Sequence, residues 1–114
     1  MATEVDMNQV VYGLCMEAAR DQMTASYSAV ATRIGMDITD DAWWYQIGTL
    51  LDEVSRYEHA HGRRLLSVVV VRQDTERPGA GFFALAKELG AFDGVDEEAF
   101  FVEERAAAWA ERKR

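Results

Sequence analysis

The chain is poor in thiols: Cys15 is the one cysteine in 114 residues. A single cysteine forms no internal disulfide, so the fold does not depend on an oxidising compartment. No basic, then apolar leader is expected either. The first residues, Met1-Ala2-Thr3-Glu4-Val5-Asp6, are acidic where a signal peptide is basic. Long apolar runs are also lacking. The longest, Leu65-Leu66-Ser67-Val68-Val69-Val70-Val71, falls far short of the roughly 20 residues that span a bilayer. These absences lead to the expectation of a cytoplasmic protein with no membrane segment.

Positive charge is scarce. Twelve basic residues face twenty acidic ones, for a net charge of −8. An acidic body opposes generic nucleic-acid binding, because phosphates attract cations. The balance is uneven, however. Between His61 and Ala84 stand Arg63, Arg64, Arg72 and Arg77 against Asp74 and Glu76, a local net of +2 that leaves −10 elsewhere. A basic loop on an acidic body is the main electrostatic feature of the sequence, and a solvated turn is its plainest explanation.

What is present suits one globular domain over residues 1–114. The length allows burial of about two-thirds of the unfolded chain's surface. Hydrophobic residues make up 49% of the chain, enough for a core.

The pattern predicts a first helix from Met7 to Met23, capped by Asp6, with Val10, Val11, Leu14, Cys15 and Ala18 on one face. A short helix follows, capped by Ser26 and stopped by Gly35, with Tyr27, Val30, Ala31 and Ile34 inward. Thr39 is expected to cap a long third helix, with Asp40 and Asp41 in its first turn. Trp43 or Trp44, Ile47, Leu50, Leu51, Val54 and Tyr57 form its stripe, and His61-Gly62 ends it.

Leu65 to Arg72 reads as a strand covered on both faces, since it is β-branched and does not alternate. Gln73 to Gly81 reads as a loop with Pro78-Gly79 in a turn. Phe82 and Phe83 then return as a brief strand or open a helix ending at Leu89-Gly90. Asp96 caps a last helix holding Phe100, Phe101 and Trp109, whose charged end Glu111-Arg112-Lys113-Arg114 should fray. The expected class is α+β: a mostly helical, winged-helix-like domain with a small antiparallel sheet and C-terminal helices. The strand's expected partners are the segment after the loop and the stretch near Met23 to Ser26.

Tyr27-Ser28-Ala29-Val30-Ala31, Ile34-Gly35, Ile47-Gly48-Thr49-Leu50-Leu51, Leu65 to Arg72 and Gly79-Ala80-Gly81-Phe82 together carry a resemblance. Over residues 24–84 the chain resembles the winged-helix domain of alkyltransferase-like DNA-repair proteins. It is also similar to short proteins of phage and defence loci with a Pro-Gly-x-Gly-Phe-type end. The resemblance implies a topology more than a function. That family's reactive cysteine and adjacent histidine fall at Leu65-Leu66-Ser67-Val68, so the resemblance carries no alkyl transfer. The family's DNA-intruding arginine falls near Tyr45 and Gln46.

No set of residues stands out as catalytic. His59 and His61, two apart, point to different faces of a helix and suit ordinary helix-end histidines better than metal ligands. Cys15 sits on an apolar stripe without a basic neighbour and reads as buried and inert. Gly79-Ala80-Gly81 lacks the third glycine of a phosphate-binding loop, so it reads as turn geometry, with backbone amides before Phe82 as an anion-holding alternative. Glu97, Glu98, Glu103 and Glu104 read as a solvated face.

Trp43-Trp44-Tyr45 is the most informative cluster. Successive helical residues lie about 100° apart, so all three cannot face one core. The sequence therefore points to a non-catalytic, cofactor-free binding module that recognises a protein partner through these aromatics. The alternative is DNA binding through Tyr45, Gln46, Thr49 and a basic wing of Arg63, Arg64, Arg72 and Arg77.

Overall fold

The computed structural model describes residues 4–113, with side chains from Met7 onward. Helix α1 spans Glu4–Arg20 and buries Val11, Cys15 and Ala19, one residue per turn. It is already formed at Glu4, so Asp6 lies within it and is not its cap. It also stops short of Met23. Gln22 adopts a positive φ of 56° there, and the Met23 amide bonds back to the Ala18 carbonyl 2.8 Å away.

Strand β1 (Ala25–Ser26) leads directly into helix α2 (Tyr27–Arg33). The Ser26 hydroxyl caps this helix by accepting from the Ala29 amide at 3.1 Å, and Gly35, at φ +82°, ends its last turn. Helix α3 runs Ala42–Ala60. Thr39 does not cap it, because Asp37 captures both the Thr39 amide at 2.9 Å and its hydroxyl at 2.6 Å. Asp40 and Asp41 consequently stand before the helix and not in its first turn. Asp40 accepts from the Ala42 amide at 3.0 Å, and Asp41 is the cap residue without a side-chain cap bond.

Ile47, Leu50, Leu51 and Val54 of α3 are buried as the pattern requires, but Tyr57 is exposed and Glu58 takes the inward position. The run Leu65–Val71 is buried throughout, yet little of it is a strand. Leu66–Val69 coil into a 3-10 turn, and only Val70–Val71 form strand β2. The reason lies in the backbone donors. The Leu65 amide is taken by Glu104 at 2.8 Å and the Ser67 amide by the Ser55 hydroxyl at 3.0 Å. With those donors bound by side chains, no neighbouring strand is needed to satisfy them.

The sheet is parallel, not antiparallel: Ala25 pairs with Val70 and Ser26 with Val71. The expected hairpin return does not form. The Arg72 amide donates to the Arg77 carbonyl and the Glu76 amide to the Arg72 carbonyl, both at 2.8 Å, closing a tight loop. Gly79 then caps helix α4 (Ala80–Glu88), which contains Phe82 and Phe83. Helix α5 (Glu97–Arg112) is capped by Asp96 through the Ala99 amide at 3.0 Å. Its end is not frayed at Arg112, which is buried; Arg114 lies outside the described residues.

The architecture is thus α+β and mostly helical, with α1, α3 and α5 packed around the 3-10 turn. Among the described residues no helix is long and apolar enough to cross a membrane.

Candidate binding surface

The three consecutive aromatics at the start of α3 separate as the helical angle demands. Trp43 is half-buried against the core edge, Trp44 is 40% exposed and Tyr45 is 77% exposed. Trp44 stands edge-on to Trp43, with ring centres 5.2 Å apart, and leans on Tyr27 of α2 at 5.0 Å. Tyr27 is itself fixed, because its hydroxyl accepts from the Gly79 amide at 2.8 Å. Three segments far apart in sequence therefore meet at Trp44. Gln46 and Thr49 are also exposed on α3, and Thr49 spends its hydroxyl hydrogen on the Tyr45 carbonyl at 3.1 Å.

Behind Trp44 lies a cleft of about 260 Å³, between α3, the end of β2 and the start of α4. Tyr27, Trp44, Leu51 and Phe82 supply apolar wall, and Asp52 and Arg72 supply charge. Arg72 lies over the Trp44 ring, 5.9 Å from its centre, and both of its terminal contacts to Asp74 measure 3.0 Å. Burial pushes the Asp52 carboxyl above its ordinary value, and the nearby Arg56 only partly offsets this.

The four arginines expected to form a wing do not share a face. Arg63 pairs with Glu58 and Arg64 with Glu104 at 3.1 Å, just beyond the C-terminal end of α3. The aromatics sit at its N-terminal end, about 27 Å away along the axis of a 19-residue helix. Arg77 reaches Glu98 at 2.9 Å and Glu97 at 4.0 Å, joining the loop to the start of α5. Of the four, Arg72 alone touches the aromatic cluster.

The sequence pattern also hid a buried ionic cluster. Glu58 is fully buried and accepts from Tyr12 at 2.8 Å, from Arg63 and from Arg112 at 3.2 Å. Burial pushes its carboxyl up, but these donors outweigh burial and hold it below the usual glutamate value. Glu104, expected on a solvated face, is buried and binds Arg64 and the Leu65 amide. Glu97, Glu98 and Glu103 are exposed.

Cys15 is buried, and desolvation pushes its thiol up to about 12, a value at which thiolate is scarce at neutral pH. His59 and His61 are exposed, and His61 stacks on Tyr57 with its Nδ1 2.8 Å from the Tyr57 carbonyl. Among the described residues no group of three or more His, Cys, Asp or Glu gathers as a metal site.

Comparison with protein-family models, curated proteins and solved structures returns no match.

Proposed function

We propose that the chain is a non-catalytic binding module that recognises a protein partner through the N-terminal end of α3. The observation that carries this reading is the exposure of Tyr45, at 77%, beside a Trp44 held in place by Tyr27. A large aromatic left in water does little for folding, whereas at the centre of a contact it contributes roughly 2 kcal/mol or more. Asp40 and Asp41 lie just before this end of the helix and favour a basic partner surface.

Of the expected winged-helix-like order only α2 followed by α3 is retained: the segment after α3 is largely a 3-10 turn, and the sheet is parallel. A regulatory or inhibitory protein of a phage or mobile element fits this reading; that setting comes from the sequence resemblance alone.

DNA binding is the second reading. Exposed Tyr45, Gln46 and Thr49 favour it. The division of the four arginines among separate acidic partners weighs against it, because duplex binding rewards cations gathered along one face.

The test is capture from host lysate on the immobilised protein, with and without nuclease. A nuclease-resistant partner, lost with Tyr45→Ala while the melting temperature is unchanged, is the expected outcome. Capture that disappears with nuclease would promote the DNA reading.

A further inference from the structure

The cleft behind Trp44 has an electrostatic feature that the exposed aromatics do not share. Asp52, on the inner side of α3, accepts no hydrogen bond and joins no ion pair among the described residues, although the cleft wall partly buries it. The other charges nearby are matched. Arg72 is held by Asp74 through two contacts of 3.0 Å, and Arg56 is held by Glu88. Asp52, Asp74 and Glu88 against Arg56 and Arg72 leave one net negative charge, and the unpaired carboxylate is Asp52.

Half-buried carboxylates without a partner are costly, because they lose hydration without a replacement. The wall beside Asp52 is aromatic: Tyr27 and Trp44, with ring centres 5.0 Å apart and planes tilted by 53°, line it from two sides. A planar cation meets both features at once. It packs its face against an aromatic ring and offers two parallel N–H donors to a carboxylate, a geometry that an ammonium does not match. The volume of about 260 Å³ accommodates one such side chain and not a folded segment.

Two features oppose a cation here. The first turn of α4 points its positive dipole end at the cleft, and Arg72 in the cleft lining already lies over the Trp44 ring, 5.9 Å from its centre. Arg72 is neutralised by Asp74, and the dipole end carries only about half a charge, so the full charge of Asp52 prevails.

From these observations we propose that the cleft seats one arginine side chain of the partner protein, packed against the Trp44 side of the aromatic wall and paired with Asp52. This deepens the reading of α3 as a protein-binding surface and rests on it for the word partner. The arginine site itself is tested without any partner.

The probes are blocked tripeptides, Gly-Arg-Gly, Gly-Lys-Gly, Gly-Gln-Gly and Gly-Glu-Gly, titrated into the isotope-labelled full chain and followed by amide and indole NMR shifts. The expected result is saturable shifts of Trp44, Asp52 and Gly81 with the arginine peptide, and at least several-fold weaker binding of the lysine peptide. The glutamine and glutamate peptides should leave these signals in place. Asp52→Asn should abolish the arginine response while keeping the dispersed spectrum of the folded chain and a melting temperature no lower than wild type.

Equal response to lysine and arginine, preference for the glutamate peptide, no saturable shift with arginine, or an undiminished response in Asp52→Asn would each overturn the assignment. None of these outcomes touches the Tyr45 test, so the arginine site and the binding surface fail separately.

Discussion

Arg112 and Glu58, 54 positions apart in the chain, meet at 3.2 Å with both side chains almost wholly removed from water. Arg112 also donates to the Arg64 carbonyl at 3.0 Å and to the Ala108 carbonyl at 3.1 Å. A buried pair of this kind adds little over an apolar replacement of both members, but breaking it strands a charge. Arg112→Met should therefore destabilise the protein by about 3–5 kcal/mol in urea titration. The double variant Arg112→Met with Glu58→Gln should recover part of that loss. A single variant within about 1 kcal/mol of wild type would show that the pair does not anchor α5.

Glu58 also predicts an acid limit. Its folded value lies below the unfolded one because Tyr12, Arg63 and Arg112 donate to the carboxylate. Its contribution is therefore complete above the unfolded value, near 4.3, and is lost as pH falls through the depressed folded value. Glu58→Gln should lessen the loss of stability between neutral pH and the acid limb, measured by thermal melts from pH 7 downward. An unchanged acid limb would place the sensitive group elsewhere.

Asp52 has the opposite sign. Burial raises its folded value, so folding favours the protonated form, and this contribution is lost as pH rises through the raised value. At neutral pH Asp52→Asn should then melt at or above wild type, with the difference shrinking below the ordinary aspartate range. A clear drop in melting temperature at pH 7 would mean that the carboxylate has a stabilising partner.

Val69→Asp should be among the most damaging changes, since Val69 is fully buried in the 3-10 turn and a charge there would have no partner. Loss of several kcal/mol, or of folding, is expected in denaturant titration. A melting temperature within a degree or two of wild type would refute the core position of this run.

The run itself shows where sequence reasoning succeeds and where it stops. Its burial was legible from composition, because six of seven residues from Leu65 to Val71 are apolar. Its conformation was not, because the groups that satisfy its amides are the hydroxyl of Ser55 and the carboxylate of Glu104, 12 and 39 positions away. Caps were readable where donor and acceptor are neighbours, as with Ser26 to Ala29 and Asp96 to Ala99. The same local chemistry misled at Thr39, whose hydroxyl had a nearer claimant in Asp37. At the candidate surface, helix geometry alone required one of Trp43, Trp44 and Tyr45 to face water. The cleft beneath them joins α2, α3, the 3-10 turn and α4, and no local pattern announces such a meeting.

The arginines carry a further prediction. Arg63 and Arg64 bind carboxylates that are buried, Glu58 and Glu104, whereas Arg72 binds an exposed Asp74. Arg63→Ala and Arg64→Ala should each lower the melting temperature clearly, and Arg72→Ala should change it little. If all three behaved alike in thermal melts, the distinction between buried and exposed pairs would not hold.

Ser26 ends β1 and caps α2 at once: its backbone is in register with Val71 and its hydroxyl holds the Ala29 amide. Sliding the two-residue ladder by one position would move that hydroxyl away from the helix it starts. The ladder and the first turn of α2 thus open as one cooperative unit. In native-state hydrogen exchange, Ser26→Ala should speed exchange of the Ala29 amide and of the ladder amides together, while amides in the centre of α3 keep their protection.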